Sequence, residues 1–336
     1  MVISIAPMMD YTDRHYRMFM RFITRGTLLY TEMVPTQMLI RGNRWDVLDF
    51  SAEERPLALQ LGGANPTDLA LCAARAEALG YDEVNLNVGC PSDRVQAGRF
   101  GACLMKEPEV VAACVAAMSA AVRIPITVKT RLGVDDLDSY EALHHFITLV
   151  AAAGCKTFII HARKAWLQGL SPKENRDIPP LCYERVYQLK QDFPQLKIII
   201  NGGIKTVEEV ETHLQYVDGA MLGREACKNP YLFASLEQRF FNSDVSSSSL
   251  PTRQEVLTQY VAYISKQLQQ NVSMRLLIRP LLGLFHGQPY SREWRGKLSS
   301  LDMNRFNQLH KNQKLIHDLV YNVQTKSIKQ EAYNQN

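Results

Sequence analysis

The sequence predicts the α/β class: a (β/α)8 TIM barrel followed by a small all-helical C-terminal domain. Eight short apolar segments with strand character alternate with helical patterns over residues 1–241, and this number of units matches a (β/α)8 barrel. Residues 242–251 are polar, serine-rich and end in proline, so we interpret them as a linker. In residues 252–336 apolar side chains recur only at helical spacing.

The eight predicted strands follow one another at short intervals through the first domain. They are 3–8, 27–33, 57–62, 83–89, 126–133, 157–163, 197–203 and 219–224. The clearest helix, 65–79, has Asn65 as its N-cap, Pro66 in its first turn and Gly80 after its last. The other predicted helices are 108–122, 138–153, 254–270, 275–285, 291–298 and 302–322. A doubly wound open sheet is the alternative, but no GxGxxG turn follows the first strand.

Composition excludes several classes of protein. Apolar residues make up 46% and charged residues 21% of the chain, which is ordinary for a globular protein. The longest apolar run, 110–122, is too short to span a bilayer, and no export signal is visible at the N-terminus. Seven cysteines occur without a CxxC pair, which argues against a disulfide scaffold or a zinc site. We therefore expect a cytoplasmic protein without a metal or a membrane anchor.

Charge is distributed unevenly along the chain. From Phe241 to the C-terminus there are 12 basic and 6 acidic residues, whereas the rest of the chain carries 26 basic and 28 acidic ones. A basic C-terminal part indicates a polyanionic partner. Solvated helix faces are the alternative explanation for the same charges.

Polar residues recur on one face near the ends of most predicted strands. They are Glu32, Gln60, Asn85, Asn87, Lys129, Arg131, His161, Arg163, Asn201 and Arg224. Barrel active sites are built at the carboxyl ends of the strands. Because burying an unpaired polar group costs about 1–3 kcal/mol, the whole set predicts a polar ligand. For any one of these residues, a solvated rim is the alternative.

Two glycine signals lie where barrels bind phosphate. Gly202 and Gly203 follow the seventh predicted strand, and Gly223 with Arg224 ends the eighth. Exposed backbone N–H groups after these two strands commonly bind phosphate. Glycines also serve any tight turn, so the prediction depends on both signals occurring together.

Cys90 lies between Gly89 and Pro91, just past the end of the fourth predicted strand. A thiol on such a rim loop can donate or accept a proton. The alternative is a small buried hydrophobic residue, which is the usual role of a free cysteine.

At this point the motifs resemble those of the tRNA-dihydrouridine synthases, and most closely their A-type subfamily. The matching segments lie in order along the barrel: APMMDYTD at 6–13, QLG at 60–62, NLNVGCPS at 85–92, VKTR at 128–131, HARKAW at 161–166, NGG at 201–203 and LGR at 222–224. Two further segments are similar to the A-type, SPKENR at 171–176 and REWR at 292–295.

The resemblance implies an FMN-dependent barrel, reduced by NADPH, that converts uridine to dihydrouridine in the D-loop of tRNA at positions 20 and 20a. Cys90 would be the proton donor. The residues expected to contact FMN are Pro7, Met8, Met9, Gln60, Lys129, His161, Asn201, Gly202, Gly203, Gly223 and Arg224. We also expect a monomer.

The chemistry of uracil agrees with these roles. Its C6 accepts a hydride, which reduced flavin can supply, and C5 then takes a proton, which Cys90 can give. Lys129 would stabilise the anionic reduced ring, and His161 would hydrogen-bond the flavin. Asn87 would meet the RNA near the target base, which has to leave its stack to reach the site.

Two pairs of basic residues are expected to hold the tRNA. Lys173 with Arg176, and Arg292 with Arg295, are each three residues apart, which places both charges on one face of a helix. Ordinary surface charge is the alternative. Trp294, between the second pair, is expected to pack inward rather than stack on a base.

Two other functions use parts of the same pattern. A flavin barrel that reduces a small-molecule enone or pyrimidine would need the same FMN residues but no basic helical domain. A non-catalytic RNA-binding barrel would need no flavin, and the purified protein would then be colourless.

Overall fold

The computed structural model describes residues 1–241 and 250–299. Its strands are β1 (Val2–Ile5), β2 (Leu29–Pro35), β3 (Leu57–Gly62), β4 (Glu83–Asn87), β5 (Ile126–Arg131), β6 (Thr157–His161), β7 (Lys197–Asn201) and β8 (Gly219–Leu222). They form one parallel sheet in the order β1-β8-β7-β6-β5-β4-β3-β2. A parallel bridge between Ser4 and Leu28, just before β2, joins the two ends of this order. The predicted (β/α)8 barrel is therefore confirmed.

Helices follow the strands and continue beyond them. They are α1 (Arg14–Arg21), α2 (Thr36–Ile40), α3 (Pro66–Leu79), α4 (Asp93–Ala97), α5 (Pro108–Ala121), α6 (Tyr140–Ala152), α7 (Tyr183–Asp192), α8 (Val207–Leu214), α9 (Arg224–Lys228), α10 (Leu232–Phe240), α11 (Arg253–Gln269), α12 (Met274–Ile278) and α13 (Ser291–Ser299). Short 3₁₀ helices lie at Trp45–Leu48, Ala52–Glu54, Gly101–Lys106, Glu174–Arg176 and Arg279–Gly283. Within the described ranges, no helix has the length and apolarity needed to cross a membrane.

Helix α3 forms as its terminal residues predict. The Asn65 side-chain oxygen accepts a hydrogen bond from the Asp68 backbone N–H at 3.0 Å, which caps the N-terminus. Gly80 ends the helix with φ +93°, a left-handed conformation that glycine adopts without strain. Local capping chemistry alone therefore fixes both ends of this helix.

Several boundaries differ from the sequence-based prediction. Strand β1 ends at Ile5 rather than at residue 8, because Pro7 has no N–H to continue the ladder. Strand β8 ends at Leu222, so Arg224 is the first residue of α9 and does not belong to the strand. The predicted helix 275–285 divides into α12 and a 3₁₀ helix, where Pro280 lacks the N–H that an α-helix would use. The predicted helix 302–322 lies outside the described residues.

The interior of the barrel has an apolar side and a polar side. The apolar side is a buried cluster of Ala6, Tyr30, Ala58, Ile159, Ile199 and Met221. The polar side comes from inward-facing residues of β3, β4 and β5, where Gln60, Asn85 and Thr127 are each at most 1% exposed. The barrel therefore holds buried hydrogen-bonding groups beside an ordinary core.

The chain divides into two compact units, and each unit is built from more than one stretch of the sequence. The first comprises residues 1–13 and 26–223; the second comprises residues 14–25 and the described residues from Arg224 onward. Within the second unit, the rings of Phe19 and Tyr260 pack edge-to-face at 5.0 Å, and the Thr24 hydroxyl donates to Glu237 at 2.6 Å. Residues 14–25 and 224–241 thus group with the C-terminal helices, whereas we expected 1–241 to form the barrel domain and 252–336 the second. Residues 242–249 of the predicted linker lie outside the described ranges.

Candidate active site

The predicted site residues of the middle strands lie on one edge of the barrel. In the sheet register Asn87 pairs with Lys129, Arg131 with His161, and His161 with Asn201. Residues in register on neighbouring parallel strands point to the same side. The structure therefore brings these side chains together at the carboxyl ends of β4 to β7, as the alternating pattern predicts.

Lys129 is a cation surrounded by protein. Part of its side chain stays accessible to solvent, but burial lowers its pKa from 10.5 to about 7, with Arg131 adding to the shift and Cys90 opposing it. Its ammonium donates to the Asn201 side-chain oxygen at 3.1 Å, and the Asn201 amide donates in turn to the Met221 carbonyl at 2.8 Å. A cation in a deep, partly accessible position favours an electron-rich or anionic ligand.

Arg131 is a second buried cation; the sequence pattern includes it among the polar strand-end residues but assigns it no separate role. It is 4% exposed and donates to the carbonyls of Gly89 at 2.8 Å, Lys164 at 3.1 Å and Asn175 at 3.0 Å. Its pKa is lowered from 12.5 to about 10, chiefly by burial; Cys90 opposes the shift, and Arg176 and Arg163 add to it. Among the described residues no carboxylate lies within 4 Å of its guanidinium. Arg131 therefore ties together the two connections that follow β4 and β6, and it adds positive charge beside Lys129.

Cys90 is held from both sides of its loop. Its backbone N–H donates to the Asn87 side-chain oxygen at 3.0 Å, and its carbonyl accepts from the Ala102 N–H at 2.9 Å. Its thiol lies 3.6 Å from the Ser92 hydroxyl. Cys90 is only partly buried, whereas Cys72 and Cys114 on helices α3 and α5 are fully buried. Partial exposure agrees with a reactive thiol better than with a packing role.

The glycines after β7 make a turn that a larger residue would fill. Gly202 has φ +116° and Gly203 has φ +78°. A Cβ on Gly202 would lie 2.7 Å from the His161 ring, and one on Gly203 would lie 2.7 Å from the Tyr183 hydroxyl. That hydroxyl donates to the Gly202 carbonyl at 2.8 Å. The two glycines therefore let the backbone pass close to the His161 ring and the Tyr183 hydroxyl.

The remaining predicted cofactor residues lie at the two adjoining strand ends. Pro7, Met8 and Met9 follow β1, where the Met8 N–H donates to the Thr12 hydroxyl at 3.0 Å. A Cβ on Gly223 would lie 3.8 Å from that of Ala6, an ordinary contact, so Gly223 is not required by crowding.

The structure places Asn87 and Gln60 inside the barrel wall. Asn87 is 8% exposed, its amide donates to the Gln60 side-chain oxygen at 2.9 Å, and its oxygen accepts from Gly89 and Cys90. Asn87 therefore organises the Cys90 loop, a role that the sequence pattern did not suggest. Contact of Asn87 with RNA, and of Gln60 with FMN, stay predictions.

The first pair of proposed tRNA-binding residues is exposed but does not lie on one helix. Lys173 precedes the 3₁₀ helix Glu174–Arg176, and Arg176 ends it. Between them Asn175 is fully buried and donates to the carbonyls of Trp166 at 2.9 Å and Leu170 at 3.1 Å. The anchored asparagine holds the segment while both basic side chains stay in solvent.

The second pair lies on α13 as predicted. Arg292 and Arg295 are exposed, whereas Trp294 is 3% exposed and its ring N–H donates to the Leu281 carbonyl at 2.7 Å. The expected inward packing of Trp294 is confirmed.

Comparison with known proteins identifies the family. A family model described as dihydrouridine synthase matches residues 4–319. Proteins named tRNA-dihydrouridine(20/20a) synthase are similar over most of their length. The one from Shewanella oneidensis is 58% identical over 296 residues, which are 88% of this chain and 87% of that protein. The one from Escherichia coli (strain K12) is 57% identical over 297 residues, which are 88% of this chain and 85% of that protein.

A solved structure shares the fold at low sequence similarity. A chain of a 2-naphthoyl-CoA reductase in complex with 2-naphthoyl-CoA superposes with a TM-score of 0.55 and 11% identity, covering 70% of this chain and half of the other. This likeness concerns the fold alone. The family match and the relatives together confirm the resemblance found in the motifs: the chain belongs to the dihydrouridine synthase family of oxidoreductases.

Proposed function

We propose that this protein reduces the C5–C6 double bond of uridines at positions 20 and 20a in the D-loop of tRNA, with FMN as cofactor and NADPH as reductant. The names of its relatives suggest the substrate and the positions. The observation that carries the chemistry is the partly exposed Cys90, fixed at the barrel rim near the buried cations Lys129 and Arg131. A cytoplasmic location and a monomeric state are part of the same proposal.

The residues at the strand ends fit FMN. Lys129 is buried without a carboxylate partner among the described residues, so an electron-rich ring beside it would offset its charge. The left-handed turn at Gly202 and Gly203 would offer backbone N–H groups to a phosphate, to which Arg224 would add charge-assisted hydrogen bonds. Bound and reduced FMN would supply the hydride for C6 of uracil.

The chain itself supplies the proton and its placement. Cys90 would give a proton to C5 of uracil. Asn87 and Arg131 together hold the peptide group that leads into Cys90, Asn87 through the Cys90 N–H and Arg131 through the Gly89 carbonyl. Lys129 would remain charged beside the reduced ring, because a neighbouring negative charge favours the ammonium form.

Basic side chains outside the barrel would hold the tRNA backbone. Lys173, Arg176, Arg292 and Arg295 are all exposed, and the sequence from Phe241 onward is basic. Contacts of this kind position a nucleic acid without reading its sequence. We propose that residues 252–336 form the tRNA-binding domain.

The test is reduction of unmodified tRNA by the purified, FMN-loaded protein with NADPH. Mass spectrometry should find a gain of two hydrogens at positions 20 and 20a. Reduction of a small-molecule enone or free pyrimidine without reduction of tRNA would favour the small-molecule reductase instead. A protein that binds tRNA but takes up no flavin would favour the non-catalytic reading.

A further inference from the structure

A chain of buried hydrogen bonds runs through the polar side of the barrel, from the backbone of Cys90 to Glu83. It begins where the N–H groups of Gly89 and Cys90 donate to the Asn87 oxygen at 3.1 and 3.0 Å. The later links are Asn87 to Gln60 at 2.9 Å, Gln60 to Asn85 at 2.8 Å, Asn85 to Thr127 at 2.8 Å and Thr127 to Glu83 at 2.6 Å. We call the side chains of Asn87, Gln60, Asn85, Thr127 and Glu83 the amide relay.

Every donor in the amide relay points the same way, from the Cys90 loop toward Glu83. At one end two backbone N–H groups can only donate, so Asn87 has to present its oxygen to them. At the other end a carboxylate accepts, so Thr127 donates to it and accepts from Asn85. The three amides between these ends have one consistent orientation, because reversing any one of them would set N–H against N–H.

The amide relay is shielded from water along its whole length. Its five side chains are each at most 9% exposed, and the three between its ends at most 1%, so bulk solvent does not readily replace a broken link. Glu83 is the first residue of β4 and Asn87 the last, so the relay spans about 13 Å along the barrel at about 3.3 Å per strand residue. Buried polar groups of this kind gain from being fully paired and lose most when one link is missing.

Glu83 receives a second hydroxyl that lies outside the relay. The Tyr30 hydroxyl donates to the same oxygen of Glu83, at 2.5 Å. Burial raises the pKa of Glu83, and the hydrogen bonds from Thr127 and Tyr30 oppose that rise. Removing the Tyr30 hydroxyl takes a hydrogen bond from Glu83 but leaves every link between Glu83 and Cys90 in place, which makes it a matched control.

We propose that the amide relay is a positioning device for Cys90, in which Glu83 and Thr127 at the base of the barrel fix which way the Asn87 amide faces at its rim. Glu83, Thr127 and Asn85 are then positioning residues that act through Asn87. The part of this inference that concerns catalysis depends on the proposed function. The part that concerns the backbone of Gly89 and Cys90 does not.

The test compares Thr127→Val with Thr127→Ser and Tyr30→Phe. Valine keeps the shape of the side chain but removes the acceptor for Asn85 and the donor to Glu83. Hydrogen exchange followed by mass spectrometry reports on the peptide that contains Gly89 and Cys90. We expect exchange there to rise about tenfold in Thr127→Val, the equivalent of one buried hydrogen bond. Thr127→Ser and Tyr30→Phe should stay within about twofold of the wild type.

Two further measurements separate positioning from a general loss of stability. A peptide from β8, which pairs with β1 and β7 and with none of the strands that carry the relay, should exchange at the wild-type rate in all variants. In the tRNA reduction assay, kcat of Thr127→Val should fall about tenfold with an unchanged KM for tRNA, because only the proton donor is displaced. Asn85→Leu, which keeps the approximate size of the side chain but removes the acceptor for Gln60 and the donor to Thr127, should act in the same direction and replaces Thr127→Val if that variant does not fold.

Equal exchange at Gly89 and Cys90 in Thr127→Val and Tyr30→Phe would overturn the inference. So would a loss of kcat that serine at 127 does not rescue. A wild-type protein that does not reduce tRNA would overturn the proposed function instead, and the exchange experiment would still decide whether the relay holds the loop.

Discussion

Replacing Lys129 with methionine should stabilise the flavin-free protein, and the gain should depend on pH. Burial holds the pKa of Lys129 at about 7 in the folded protein, against 10.5 for an ordinary lysine. Between these two values the unfolded chain binds a proton that the folded protein does not. The free energy of unfolding therefore rises with pH across this window, and the full cost of burying the charge is present below about pH 7.

The size of the effect follows from the shift. A fall from 10.5 to about 7, at 1.36 kcal/mol per unit, corresponds to at most about 5 kcal/mol. Methionine has a similar length and no charge, so Lys129→Met removes this cost. The free energy of unfolding of Lys129→Met should exceed that of the wild type most below pH 7, and the two free energies should converge toward pH 10.5.

Urea unfolding of the flavin-free proteins at pH 6, 8 and 10 measures the difference. The exposed Lys205 provides a control, and Lys205→Met should shift stability by less than about 0.5 kcal/mol at every pH. If the difference in free energy of unfolding between Lys129→Met and the wild type stays constant from pH 6 to pH 10, the reasoning is refuted. Saturating FMN should reduce this difference in free energy of unfolding at pH 6, because the bound cofactor offsets the charge of Lys129 in the wild type only.

The other predictions concern the thiol, the cofactor and the tRNA. Cys90→Ala should retain flavin but slow single-turnover reduction of tRNA about 10²–10⁴-fold. Cys103 is a partly buried thiol in the next 3₁₀ helix, and Cys103→Ala should reduce tRNA at the wild-type rate. Equal rates for the two variants would remove the role of Cys90. Gly203→Ala should weaken FMN binding, because a residue with a side chain would need about 1–2 kcal/mol to keep the left-handed backbone conformation of Gly203. An unchanged Kd for FMN in a fluorescence titration would contradict this. Arg224→Ala should lose flavin on dialysis, read as absorbance near 450 nm, and full retention would count against a phosphate contact. The affinity for tRNA should fall steeply between about 50 and 200 mM salt, and a flat titration would argue against electrostatic binding.

Much of the barrel could be predicted because its signals are local. Alternation along β4 and β5 placed Asn87 and Lys129 on one face, and the sheet register agrees. Asn65 and Gly80 likewise marked the ends of α3. Each of these features depends on residues within one element, which a sequence displays directly.

The rest depends on partners that are distant in sequence. Arg131 binds carbonyls at positions 89, 164 and 175, and no spacing rule connects those positions. Asn87 is predicted to meet the RNA near the target base, and no pattern in the sequence shows that its side chain also binds Gln60 and the Cys90 loop. Helix α9 is only five residues long and carries no periodicity that distinguishes it from the end of a strand.

The second compact unit draws on both ends of the chain, and this has a consequence for synthesis. Phe19, near the N-terminus, is fully buried and packs on Tyr260, which emerges from the ribosome some 240 residues later. During translation the aromatic face of α1 therefore stays uncovered until α11 has been made, a delay of about 12–48 s at about 5–20 residues per second. A chain terminated at residue 241 would lack α11 and would leave the aromatic face of α1 uncovered. This truncation would therefore produce an aggregation-prone fragment instead of an independently folded barrel.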